Sequence, residues 1–194
     1  MNTYAKAETL VSAVAAPLGW VRSVVLVVAF SLLVALAAQV AVPLPWTPVP
    51  LTAQTFAVLL TGALLGSRLG ALALVVYLIE GAAGLPFFHG GAGGPQYFFG
   101  ATAGYLFAFP VAAFVTGHLA ERGWDKRFPT AALAMALGSL VILAGGWAWL
   151  AVFTRSAAAA FASGVAPFIV GDIVKVLLAA AALPAGWALL RKKN

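Results

Sequence analysis

From Pro129 to Phe153 the chain runs for 25 residues without a charged side chain, and Val24–Val42 does the same for 19. A helix rises 1.5 Å per residue, so about 20 such residues cross the hydrocarbon core of a bilayer, ~30 Å thick. Composition agrees: 63% of the residues are hydrophobic and 8% charged, where a soluble domain carries about 25% charged residues. The chain is therefore expected to be an all-α integral membrane protein embedded in the lipid bilayer. Its 194 residues leave room for about six spans of ~20 residues joined by short loops, with none left for a separate soluble domain. A net charge of +6 would suggest nucleic acid in a soluble protein. Here the basic residues sit where loops meet the membrane, so no nucleic acid is expected. Cysteine is absent, which excludes disulfides and thiolate metal sites.

In chain order, residues 1–23 read as a cytoplasmic or interfacial segment, with Lys6, Glu8 and Arg22 around Leu10, Val11, Val14 and Trp20. Residues 24–190 form the membrane domain and 191–194 a basic cytoplasmic tail. Val24–Val42 is read as an uncleaved first helix. Ala35–Leu36–Ala37 resembles a signal-peptide cleavage site, but the run is too long and starts too late for one. Pro43, Pro45, Pro48 and Pro50 then force a stiff extended loop. The second helix is expected from Leu51 to Leu65, and the third from Leu69 to Ala83 after a turn at Gly66–Ser67–Arg68. Gly62, Gly66 and Gly70 have the four-residue spacing that lets membrane helices approach closely. The stretch from Gly84 to Gly100 mixes glycines with Phe87, Phe88, Tyr97, Phe98 and Phe99. No Lys–Ser/Thr closes it, so it is no phosphate loop. At this length it reads equally as a substrate lid or as a packed external cap. A fourth helix is expected from Ala101 to Ala120 and a fifth from Pro129 to Phe153. Ser156–Gly164 would then lead into a sixth, Val165–Leu190. Nine of the eleven Lys and Arg fall on one side of this arrangement, which puts both termini in the cytoplasm.

Three ionisable residues remain inside the helices: Glu80, Asp172 and Lys175. An ionised group at bilayer depth costs on the order of 2.5–3.5 kcal/mol even on lenient scales. Asp172 and Lys175 are three residues apart and share a helix face, with Cβ atoms about 5–6 Å apart. All three residues belong to the outer half of the membrane, Asp172 about 10 Å from the outer end of its helix, and Gln54 falls at a similar level. The arrangement describes an outward-facing pocket for a small molecule, or, more blandly, a structural ion pair. As a ligand group Lys175 suits a carboxylate, Asp172 and Gln54 suit a neutral polar head, and apolar walls suit a ring or chain. Catalysis is poorly served. Ser139, in Leu137–Gly138–Ser139–Leu140, has no histidine at its level: His89 lies in an outer loop, read as solvated, and His118 near the inner end of helix four. The chain is read as no enzyme, with no cofactor and no metal.

Several stretches resemble one family in the same order. They are Val49–Pro50–Leu51–Thr52–Ala53–Gln54–Thr55–Phe56–Ala57–Val58 with Gly62–Ala63–Leu64–Leu65–Gly66, then Tyr77, Gly84–Leu85–Pro86–Phe87–Phe88, Gly90–Gly91–Ala92–Gly93–Gly94, Pro167–Phe168 and Gly171–Asp172–Ile173–Val174–Lys175. The chain is thereby similar to the BioY family, the biotin-binding substrate (S) components of energy-coupling-factor (ECF) transporters. One motif departs: Gly100–Ala101–Thr102–Ala103–Gly104–Tyr105 stands where the family has Gly-Pro-Thr-Gly-Gly-Tyr. The resemblance implies a six-helix S-component fold in the inner (cytoplasmic) membrane and high-affinity capture of biotin as transported ligand. It also implies docking on a transmembrane coupling protein (T component) and a pair of ABC ATPase subunits that topple the loaded subunit, which would explain the missing nucleotide motif. It carries Asp172, Lys175, Gln54 and Tyr77 to the binding site, with Glu80 and Tyr97 completing the expected set. Small residues on the first helix would meet the coupling protein, Ala37 and Ala41 by spacing, with Ser31 and Ala35 fitting as well. An S component for another vitamin and an intramembrane hydrolase are the competing readings.

Overall fold

A computed structural model describes residues 9–14 and 19–191. Its helices are α1 (Leu10–Val14), α2 (Trp20–Gln39), α3 (Gln54–Leu65), α4 (Ser67–Ala82), α5 (Ala103–Ala120), α6 (Phe128–Thr154), α7 (Ala157–Gly164) and α8 (Ile169–Arg191), with a two-stranded ribbon of β1 (Ala41–Val42) and β2 (Leu51–Thr52) between α2 and α3. Among the described residues, four stretches are long and apolar enough to cross a membrane: α2, α5, α6 and the α7–α8 run Ala157–Leu190. The helices α3 and α4 have 12 and 16 residues, or about 18 and 24 Å at 1.5 Å per residue.

Several expected boundaries move, each for a local reason. The first helix starts at Trp20 rather than Val24, since Trp20 and Arg22 can extend from a helix end toward an interface. It stops at Gln39, because Ala41 and Val42 pair antiparallel with Thr52 and Leu51. That pairing and the bond from Ala53 N to Val40 O hold Leu51 and Thr52 extended, so α3 begins only at Gln54. The fourth helix starts at Ala103, after a turn at 101–102. The supposed lead-in 157–164 is itself a helix, capped by Ser156 Oγ, which accepts from Ala159 N at 3.2 Å. The sixth run is not continuous: Pro167 sits in the 3-10 turn Ala166–Phe168, and a proline cannot donate inside a helix. Asp172 consequently lies in the first turn of α8, nearer the helix end than the unbroken run implied. Two 3-10 turns, His89–Gly91 and Pro95–Phe98, order part of the 84–100 loop.

Helix α5 packs against α3, α4 and α6, and α8 closes on α6 and α3. Backbones approach closely where side chains vanish. A Cβ on Gly62 would collide with Ala113 O and Thr116 Oγ1, and one on Gly70 would lie 2.8 Å from Gly62 Cα. Gly62 and Gly70 thus do what their spacing suggested. Gly66, at φ +87°, reverses the chain between α3 and α4 within one residue, a conformation costly for any residue with a Cβ. Large apolar side chains such as Val24, Leu36, Leu140, Val170 and Leu178 face outward, as a lipid-facing surface requires.

Candidate binding cavity

Beneath the proline-rich and glycine-rich loops, α3, α5, α6 and α8 line a partly open cavity, apolar with a few polar groups as small-molecule sites are. Phe109, Ile142 and Phe168 are buried apolar wall. The polar groups come from three helices and one loop.

Asp172 and Lys175 both line the cavity from one turn of α8. Lys175 Nζ lies 3.4 Å from Asp172 Oδ1 and donates to Thr55 Oγ1 of α3 at 2.8 Å. The other carboxylate oxygen, Oδ2, accepts from Ser139 Oγ of α6 at 2.7 Å. Asp172 is 7% exposed, and the start of α8 gives its negative charge the favourable end of the helix dipole. One ion pair therefore joins α3, α6 and α8. Two of the ammonium's three donors are engaged, and the carboxylate has lone pairs beyond the two in use. Both residues line the cavity with hydrogen-bonding capacity left over, and their opposite charges sit 3.4 Å apart.

Gln54 is buried at the first position of α3 and lines the cavity. Its Nε2 donates to Tyr77 Oη at 2.5 Å, and Oε1 accepts from Thr52 Oγ1 at 3.3 Å. Tyr77 in turn donates to Phe87 O at 3.3 Å and meets the Phe88 ring edge-on at 5.7 Å. It stands behind Gln54 as a support and is not part of the cavity lining. Tyr97 lines the cavity with its ring 5.4 Å from Phe88. Glu80 does not join them; it lies on α4 outside the cavity lining, with Oε2 buried and without a hydrogen-bond partner among the described residues. His89, read from sequence as solvated, is half-buried and lines the cavity, and burial holds its imidazole below the usual pKa. Ala37 and Ala41 do not share a helical face: α2 has ended before Ala41, which is paired with Thr52 beside the cavity. Ser31 and Ala35 are buried inside the bundle.

Sequence reasoning missed Thr55, Ser139 as an Asp172 partner, and Tyr105. The Tyr105 ring forms wall while its hydroxyl donates to Gly164 O at 2.6 Å, tying α5 to α7. Its signal was the motif ending at Tyr105. It also missed Gln39, at the last position of α2. Gln39 Nε2 donates to Phe88 O at 3.2 Å, and Oε1 accepts from Gly91 N at 2.8 Å. With Phe88 N donating to Ala92 O at 2.8 Å, this clamps the segment that carries Phe88 and His89 over the cavity.

A model described as the BioY family matches residues 5–192. The chain is 44% identical over 158 residues to a probable biotin transporter BioY of Pyrococcus horikoshii, covering 81% of this chain and 91% of the relative. It is 39% identical over 172 residues to the biotin transporter BioY of Rhizobium etli, covering 82% and 89%. Its fold is similar to the crystal structure of the S-component for biotin from an ECF-type ABC transporter, with TM-score 0.77 at 23% identity and coverage of 90% and 93%. Relatives of this kind and several membrane-length apolar helices make it a multi-pass membrane protein.

Proposed function

The chain belongs to the BioY family, and from that premise we propose that it captures biotin as the substrate-binding S component of an ECF-type transporter. It crosses the cytoplasmic membrane six times, through α2, α5, α6 and α8 and through the shorter α3 and α4 together with their flanking residues; both termini are cytoplasmic, and the cavity opens outward. The distribution of Lys and Arg supports that orientation. Energy comes from a T component and ABC ATPase subunits docked on the cytoplasmic side.

The observation that carries the reading is a charge pair lining a cavity instead of being sealed in helix packing. Biotin has two polar ends, a carboxylate and a neutral cyclic urea, joined by apolar ring and chain. The sequence reading gave Lys175 the carboxylate. Because Asp172 already balances that charge, the adjacent donor and acceptor suit the urea better: Lys175 N–H to the urea oxygen, Asp172 to a urea N–H, with Gln54 beside them. An anion placed against the same pair would meet a net charge near zero. Ser139, the hydrolase candidate, is committed to Asp172, which supports binding over catalysis.

Titration of the detergent-purified protein with biotin tests the reading. Saturable one-to-one binding is expected; a folded sample that does not bind biotin overturns it.

A further inference from the structure

The void that holds the Asp172–Lys175 pair shares lining residues with two clefts, one along Pro48, Gln96 and Thr102 and one along Gln39, Thr47 and Gly90. His89 lines the main cavity and both clefts, so it borders the place where the three meet. Its ring is held in place: the backbone of 88–92 is closed on itself and clamped by Gln39, and Tyr97 packs edge-on at 6.1 Å. Neither ring nitrogen has a hydrogen-bond partner among the described residues.

The proposed deep urea site leaves an unanswered charge. A carboxylate drawn into an apolar-walled cavity is strongly disfavoured unless a cation or several donors meet it. Lys175 is neutralised by Asp172, and none of the residues along the two clefts carries a formal charge. We propose that His89 is the residue that receives the ligand's carboxylate at the mouth, as an imidazolium, and so selects acids over their neutral derivatives. This rests on the biotin-binding reading and extends it. Titratable neighbours facing the same cavity are Tyr97 from the loop, Tyr105 from α5, and Asp172 with Lys175 from α8. The α8 pair, opposite in sign and 3.4 Å apart, contributes little net field.

The sign of the pH effect follows. Burial keeps the free imidazole largely unprotonated at neutral pH, whereas a bound carboxylate favours its protonated form. Binding therefore takes up a proton, and biotin affinity rises as pH falls from 8 toward 6.

The test compares biotin with its uncharged primary amide on wild type, His89→Gln and His89→Asn, at pH 6 and pH 8. Wild type is expected to prefer biotin, with the preference growing about tenfold toward pH 6. Either variant is expected to weaken biotin about tenfold at pH 6, to move the amide less than twofold, and to lose the pH dependence. A wild type that binds biotin while both variants keep its acid-to-amide ratio and pH profile overturns the role of His89 alone. A folded wild type that binds neither compound overturns the biotin reading and this inference with it.

Discussion

At one end of the bundle, Glu121 accepts hydrogen bonds from both the backbone N–H and the hydroxyl of Ser67, at 2.8 and 2.9 Å, pinning the start of α4 to the end of α5. Close by in sequence, Asp125 Oδ2 accepts from Trp187 Nε1 at 2.6 Å while Lys126 lies 4.5 Å over the same indole. At the cavity end, Asp172 and Lys175 are likewise bonded to Ser139 and Thr55. The chemistry is similar and the surroundings differ. Asp125 is closed in by protein, at 1% exposure, whereas Asp172 and Lys175 border a cavity that opens outward. A buried charge acts structurally when protein fills every direction around it. It becomes a ligand group when one direction is left empty.

Removing one partner of the pair is the most severe way to break that contrast. Asp172→Ala leaves Lys175 buried without its counter-charge, which costs about 3–5 kcal/mol. Thermal unfolding should show the loss, and the surviving folded protein should bind biotin at least a hundredfold more weakly. In the filled region the expected effect is on stability alone. Gly62→Leu drives atoms into Ala113 and Thr116, an overpacking that costs about 1–3 kcal/mol. The folded fraction should keep its biotin affinity, and a parallel loss of affinity would show the two regions to be coupled. Gln39→Ala sharpens the picture at the rim. Releasing the clamp on Phe88 and Gly91 should cost about 1 kcal/mol and raise the biotin dissociation rate several-fold, readable by stopped-flow, with little change at the deep pair.

The smallest effect concerns Asp125. Burial raises its carboxyl above the usual range, against lesser opposing contributions from Trp187 and Lys126. The folded protein then holds a proton that the unfolded chain has already lost. Stability from this group is present below the unfolded pKa and falls as pH rises through the folded one. Asp125→Asn keeps an acceptor for Trp187, so its unfolding temperature should be flatter between pH 4 and 7 than that of wild type, with biotin affinity unchanged.

Much of the fold was legible because membrane-length runs and glycine spacing are local properties. Pro129–Phe153 announces α6 without any tertiary information, and Gly62 with Gly70 does mark a close approach. Asp172 and Lys175 were legible because three residues on a helix fix a shared face. What failed depended on distant partners. Leu51 and Thr52 look helical until their pairing with Val42 and Ala41 is known, and the same ribbon removes Ala41 from any helical face with Ala37. Glu80 has the right depth but lies outside the cavity lining, and depth alone does not specify azimuth. His89 looked like a solvated loop residue because nothing near it in sequence shows that Gln39, fifty positions upstream, holds its loop over the cavity. Tyr77 was grouped with the ligand contacts, whereas its hydroxyl supports Gln54 from behind.

A structure of this protein determined with biotin bound tests the central claim most directly. The vitamin is expected between α3, α5, α6 and α8, with its urea within hydrogen-bonding distance of Asp172 and Lys175 and its carboxylate toward His89. Biotin bound elsewhere, with the Asp172–Lys175 pair still joined only to Ser139 and Thr55 and facing an empty cavity, would contradict it.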